Sequence, residues 1–305
     1  MPNIIALCGK KGSGKNTLCN FLHGYQLKQL GIINDFYLNE KGGLVVNTPV
    51  EDENQEMQNV DMLLDVTRSD YTFGEWASFY MWPFIKHYAF ASTLKEIGEQ
   101  LFNIPHECLY GTDEQKNQII PHLLWENMPG VITQKPIDLA WSLTEGYTEQ
   151  KNEVEMIAGR LGPYYEKIKG IVYHEPGPMT AREFMQFFGT EIMRKMYEPI
   201  WTQRTIKNIV TEDSQISVIS DCRFDNEAVA LKEQGAKLVL LTRSIDSSDK
   251  HKSENGFDSF TDFDLVIDNK NLTLLETCAK LIEGIKDWGW ISTPKTKETG
   301  FKKIK

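Results

Sequence analysis

The chain has 305 residues, 41% of them hydrophobic and 25% charged, the composition of an ordinary globular protein with a substantial core, which excludes a fibrous or wholly disordered polypeptide. Its net charge of −10 gives no general reason to bind a nucleic acid polymer or an anionic membrane surface and points instead to a small anionic ligand in a local basic pocket. Cys8, Cys19, Cys108, Cys222 and Cys278 are odd in number and form no C-x-x-C pair, which suits a reducing compartment. No run approaches membrane-spanning length, and the first residues lack the basic start of a secretory signal, so a cytoplasmic protein is expected.

Along the chain, NIIALC (3–8) is a short apolar run suited to a buried parallel strand. A glycine-rich loop follows, and then Leu18, Phe21, Leu22 and Tyr25 recur at helical spacing. From about Asn39 to Asp70 the sequence is polar without a sustained period, which reads as an insertion or mobile loop. HYAF suggests a strand end, and Leu94, Ile97, Leu101 and Phe102 mark a helix stopped by Pro105. Residues 131–178 read as a second insertion, a lid or small subdomain, with an amphipathic stretch from Val154 to Lys169.

TARE opens a helix over Thr180 to Met196, since Thr180 can cap its start and Glu183 reach back to complete the box. The strand ISVIS, a helix closed by Gly235, the strands KLVLLTR and FDLVID, and a helix near Leu272 to Ile285 come next. Alternation of this kind predicts an α/β fold of three layers, a parallel sheet covered by helices on both faces. Residues 1–290 are read as a single domain with the insertions near 39–75 and 131–178, and 291–305 as a solvated basic tail.

GKKGSGKNT (9–17) nearly spells the phosphate-binding loop G-x-x-x-x-G-K-[ST]. Gly9, Gly12 and Gly14 permit the sharp turns that let backbone N–H groups and a helix N-terminus surround a phosphate chain, while Lys11, Ser13 and Asn16 complete the loop and Lys15 supplies charge. Asn16 replaces the hydroxyl that normally reaches Mg²⁺. Many nucleoside monophosphate kinases also place a non-hydroxyl residue there and a threonine next, as Thr17 stands here. Thr17 is therefore a candidate phosphate or metal contact, and otherwise a plain helix residue.

Only seven arginines stand beside twenty-six lysines, so their positions carry information. Arg182, Gln186, Thr190 and Arg194 succeed one another at i+4 as a ridge, with Phe184, Phe187, Phe188 and Ile192 on the opposite arc. Arginine on such a face suits bidentate phosphate binding, the alternative being a solvated stripe over an aromatic core. Asp221 ends an apolar strand, where ligands bind in open α/β sheets, and can orient metal-bound water; Arg223 can hold a phosphate, and Asp225 is read as the cap of the next helix. Arg243 ends the following strand, and His251 sits in the polar HKSE stretch. Trp125 and Trp201 are core or pocket-wall aromatics.

Together, GKKGSGKNT, FASTLK (90–95), LYGTDEQKN (109–117), TAREFMQFFGTEIMR (180–194), DCRFDNEA (221–228), GAKLVLLTR (235–243) and HKSE (251–254) resemble, in order, the phage-type deoxynucleoside monophosphate kinases, P-loop enzymes that phosphorylate dNMPs with ATP. The resemblance implies ATP and Mg²⁺ as cofactors, an ATP site at Gly9 to Thr17 with Arg243 and His251 near the donor, and a monophosphate site at Lys95, Arg182, Gln186, Asp221 and Arg223. Lys15, Arg182 and Arg223 are the implied catalytic charges, Thr17 and Asp221 the implied metal contacts, and Lys151 and Arg160 candidate lid contacts. A homodimer is compatible with it. The rival readings are a P-loop kinase of another small acceptor, such as a dephospho-coenzyme A kinase-like enzyme, and a nucleotide-binding switch; against a GTPase, Asn269-Lys270 is followed by Asn271-Leu272 and lacks the aspartate that reads guanine.

Overall fold

The structure is a computed structural model that describes residues 2–51, 56–68, 70–133, 172–243, 257 and 259–290. The chain divides into two compact units, one of residues 1–93 with 199–305 and one of residues 94–198.

The first unit opens with β1 (Asn3–Cys8), α1 (Lys15–Gln29), β2 (Asp35–Leu38), β3 (Leu44–Glu51), β4 (Met57–Leu64), α2 (Tyr71–Tyr80) and β5 (Ile85–Tyr88), and α3 (Ala91–Gln100) leads out of it. The second unit holds α4 (His106–Tyr110), α5 (Asp113–Lys116), β6 (Ile119–Leu124), β7 (Val131–Ile132), β8 (Val172–Tyr173), β9 (Pro178–Thr180) and α6 (Ala181–Gln186), which runs on as a π-helix over Phe187–Arg194. The chain returns to the first unit with α7 (Ile200–Glu212), β10 (Ile216–Cys222), α8 (Asp225–Glu233), β11 (Lys237–Leu241), β12 (Leu265–Ile267) and α9 (Leu274–Asp287).

Five strands form one parallel sheet in the order β12-β11-β1-β10-β5. Their near-continuous apolar runs follow from burial on both faces. Ile5, Leu7, Val218, Val239 and Leu241 point to one side, into a core shared with Leu18 and Leu22 of α1 and Leu281 and Ile285 of α9. The alternate residues Ala6, Ile219 and Leu238 point to the other side and are equally buried, as are Ala228 and Leu231 of α8 beside β11. The expected three-layer α/β arrangement is therefore present. β1 lies in the middle of the sheet, so the glycine loop leaves its carboxyl end between neighbours on both sides.

The region from Asn39 to Asp70 differs from its reading as a loop. β2, β3 and β4 form an antiparallel sheet of three strands, with Leu44 opposite Leu64 and Glu51 opposite Met57. The alternation was hidden because much of β3 and almost all of β4 is solvent-facing, leaving only Leu44, Val45 and Val46 as a short buried stretch. The hairpin docks on α1 through one helical stripe. Thr17 meets the Gly42 turn, the Asn20 amide donates to the Gly42 carbonyl at 2.8 Å, Gly24 leaves room for Phe36 and Leu44, and Lys28 pairs with Asp35.

The second unit has its own core of Ile104, Leu109, Ile120, Leu123, Trp125, Met179, Phe184 and Phe187, with Phe184 stacked on Phe188 at 5.3 Å. The capping box expected at Thr180 forms: its side chain receives the Glu183 N–H, and the Glu183 carboxylate receives the Thr180 N–H at 2.8 Å. The helix expected over Thr180 to Met196 is α-helical only as far as Gln186 and continues as a π-helix over Phe187–Arg194, whose backbone hydrogen bonds span five residues instead of four.

Candidate phosphate-binding and acceptor sites

Gly9 turns the chain at φ 136°, a conformation that L side chains avoid, and a Cβ there would stand 2.5 Å from the Leu241 carbonyl oxygen. Gly14, at φ 100°, is the N-cap of α1, where no side chain caps the helix and no acidic residue occupies the first turn. No capping side chain therefore competes with an anionic ligand at that turn, and the helix dipole favours negative charge there. Lys15 is only 6% exposed, and its ammonium donates to the carbonyls of Gly9 at 2.7 Å and Lys10 at 2.8 Å. Ser13 is buried beneath the loop, whereas Gly12 and Asn16 are exposed on its rim and Lys11 is half-buried. Thr17 belongs to the stripe that meets the hairpin turn at Gly42.

The sequence reading used Asn269 only as evidence against a GTPase, and the structure gives it a larger part. Just beyond β12 and 3% exposed, it donates its amide to the Ser13 carbonyl at 2.9 Å and accepts the Arg243 N–H at 3.0 Å. It ties the phosphate loop to the segment that carries Arg243, whose guanidinium lies close to Gly14. The available signal was positional: Asn269, like Asp221 and Arg243, stands at the carboxyl end of a sheet strand, where open α/β sheets bind ligands.

On β10, the Asp221 carboxylate accepts N–H bonds from Phe90 at 2.9 Å and Ala91 at 3.2 Å, fastening the start of α3. Arg223 follows the strand, and its N–H, with that of Phe224, is held by the buried Glu227 carboxylate at 2.9 and 3.2 Å. Asp225 is not the cap that the sequence suggested. It is the first residue of α8, and its carboxylate accepts the Ser259 N–H and hydroxyl at 2.8 and 2.7 Å. With Glu227 reaching back to the start of α8, Asp225 is left to fasten the Ser259 segment.

Arg182, Gln186 and Lys95 lie in the second unit. The Arg182 guanidinium donates to Asn117 at 2.9 Å and to the Asp113 carboxylate at 2.6 Å, so α5 and the residue after it hold its orientation. α5 is itself fixed by a capping box between Thr112 and Gln115. The Lys95 ammonium lies 4.4 Å from the centre of the Tyr110 ring, whose hydroxyl is pushed up to about 12 by burial, with Glu96 and Glu99 adding to the effect. The LYGTDEQKN stretch is therefore the platform for both Arg182 and Lys95. Gln186 is half-buried at the junction with the π-helix.

The structure thus brings Lys15, Arg243 and Asn269 together at the glycine loop, with Asp221 and Arg223 at the end of the neighbouring strand β10, and anchors Arg182 and Lys95 on one platform in the other unit. His251, Lys151, Arg160, the Val154–Lys169 stretch and the 291–305 tail lie outside the described residues. Among the described residues, no helix is long and apolar enough to cross a membrane, and no group of three or more His, Cys, Asp or Glu side chains converges on a metal position.

Residues 105–280, more than half of the chain, match the sequence profile of the deoxynucleotide monophosphate kinase family, and the chain belongs to that family. A protein of Acanthamoeba polyphaga mimivirus, provisionally named a deoxynucleotide monophosphate kinase, is 33% identical over 117 residues, 34% of this chain and 60% of the relative, so the match spans under two thirds of that protein.

Proposed function

We propose that this family member transfers the γ-phosphoryl group of ATP to a deoxynucleoside monophosphate, giving ADP and a dNDP, as a cytoplasmic, phage-type enzyme of nucleotide supply. The observation that carries this reading is the uncapped start of α1, enclosed by the Gly9–Lys15 loop with the Lys15 ammonium inside it. A polyphosphate would take over the loop's N–H groups and exchange with the Gly9 and Lys10 carbonyls for Lys15.

An acceptor monophosphate is already ionised at neutral pH, so no side chain has to remove a proton from it. Catalysis then consists of alignment and charge neutralisation. In this reading Lys15 and the loop hold the donor phosphates, Arg243 and Asn269 fix the loop's flank, Arg223 adds neutralising charge in the first unit, and Arg182, Gln186 and Lys95 of the second unit hold the acceptor phosphate. The described residues offer no all-protein cation cage, and both Asp221 oxygens already accept N–H bonds. That donor set fits Mg²⁺, which is commonly bound through substrate phosphates and water with one or two carboxylates. Thr17 and Asp221 would be its protein-side oxygens, and bound there it would supply neutralisation of the phosphate charge.

The test is ATP turnover with a panel of dNMPs and NMPs, following ADP and the diphosphate product. Monophosphate-dependent ADP formation is expected. ADP formation driven only by a pantetheine-containing or other acceptor sinks the assignment.

A further inference from the structure

The β2–β3–β4 sheet lies outside residues 105–280, and its two edges are finished in opposite ways. β2 is four residues long, packs on α1, and carries Asp35 paired with Lys28 at 2.6 Å. β4 is eight residues long, MQNVDMLL, with no proline, no basic residue and Asp61 as its single charge, and no described strand pairs with its outer side. A long edge strand without proline or lysine presents a row of backbone donors and acceptors ready to pair with another strand. Met57, Met62 and Leu63 are 63%, 50% and 66% exposed along it, and Tyr37 and Val50 are exposed on the neighbouring strands. Such a concentration of exposed apolar side chains on one small sheet marks a contact surface.

We infer that β4 is a dimerisation edge, which pairs antiparallel with β4 of a second copy of this chain about a two-fold axis at Val60, joining two three-stranded sheets into one of six. A two-fold axis perpendicular to the sheet keeps each set of alternate residues on its own face, so the pairing must centre on a residue. Centred on Val60, it sets Met57 opposite Leu63 of the partner subunit, Gln58 opposite Met62 of the partner subunit and Asn59 opposite Asp61 of the partner subunit. Apolar then meets apolar on the outer face, and each Asp61 meets a neutral amide. Centring on Asp61 would oppose the two carboxylates, and centring on Asn59 would place Met57 against a carboxylate, both unfavourable. The strand is self-complementary in the Val60 register, which selects a second copy over an unrelated peptide.

Sedimentation velocity of the full chain over a concentration series tests the dimer, with Asn59→Asp, Asn59→Lys, Val60→Cys and Gln58→Cys as variants. A reversible dimer is expected. Asn59→Asp, which opposes carboxylates at two symmetric places, raises the dimer Kd roughly three- to thirtyfold, and Asn59→Lys lowers it. Directly opposed residues suit disulfide geometry, so with oxidised glutathione Val60→Cys forms a covalent dimer while glutathione is reduced. Gln58→Cys, opposite Met62 of the partner subunit, links far more slowly. All five native thiols are buried and supply little background. A chain that stays monomeric throughout, with or without capture of another protein, overturns the inference. So does a dimer whose Kd ignores both Asn59 variants, or one in which the two cysteine variants link at equal rates.

Discussion

α1 and α6 each follow a strand directly or by a short loop, and their N-termini are built for opposite purposes. α1 begins at Gly14 with no capping side chain and no acidic first turn, whereas α6 begins at Thr180 with a closed capping box and Glu183 against its dipole. α5 and α9 are closed in the same way as α6. An uncapped helix start leaves N–H groups for a phosphate, and a boxed start has already used them. Anion recognition in the first unit can therefore rest on backbone, while the proposed acceptor site of the second would rest on side chains such as Arg182, positioned by Asp113 and Asn117.

The sharpest way to break this comparison is Lys15→Ala, which removes the buried ammonium inside the backbone cradle and is expected to lower kcat by about 10³-fold or more. A variant that keeps most of its turnover would show that the loop is not the donor site. Arg182→Ala should raise the KM for the monophosphate by roughly ten- to a hundredfold with little change for ATP, and Asp113→Asn should do the same more weakly by loosening the guanidinium. Equal effects on the two substrates would contradict the division between units. Asn269→Ala should raise the KM for ATP by about tenfold, through loss of the buried hydrogen bond to Ser13 and of the bond from the Arg243 N–H, and leave the KM of the monophosphate unchanged.

A separate prediction concerns stability on the inner side of α1. His23 is fully buried, its Nδ1 lies 2.8 Å from the Cys19 carbonyl, and its Nε2 has no hydrogen-bond partner among the described residues. Burial pushes its pKa down from 6.5 to about 3, with His87 adding to the drop and the Cys19 carbonyl opposing it. Between those values the unfolded chain binds a proton that the folded chain does not, so stability falls as the pH drops from about 6.5 towards 3, by at most about 1.4 kcal/mol per pH unit. Denaturant titrations at several pH values should show this slope, and His23→Leu should flatten the part above pH 4.5. An unchanged slope would assign the acid sensitivity to other groups.

The sequence alone determined the parallel sheet, the glycine loop with Lys15, and the Thr180 box, because each depends on residues close together in the chain: an apolar run, a φ that only glycine adopts easily, and a side chain three residues from its target. Tertiary structure alone decided the rest. Asn269 reaches Ser13 across 256 residues, Arg182 is oriented by a carboxylate 69 residues away, and Asp221 fastens a helix start 130 residues away, contacts that no local spacing announces. The antiparallel sheet at 35–64 escaped for a related reason, since a ladder exposed along most of one hairpin shows little hydrophobic alternation and its pairing is specified between strands.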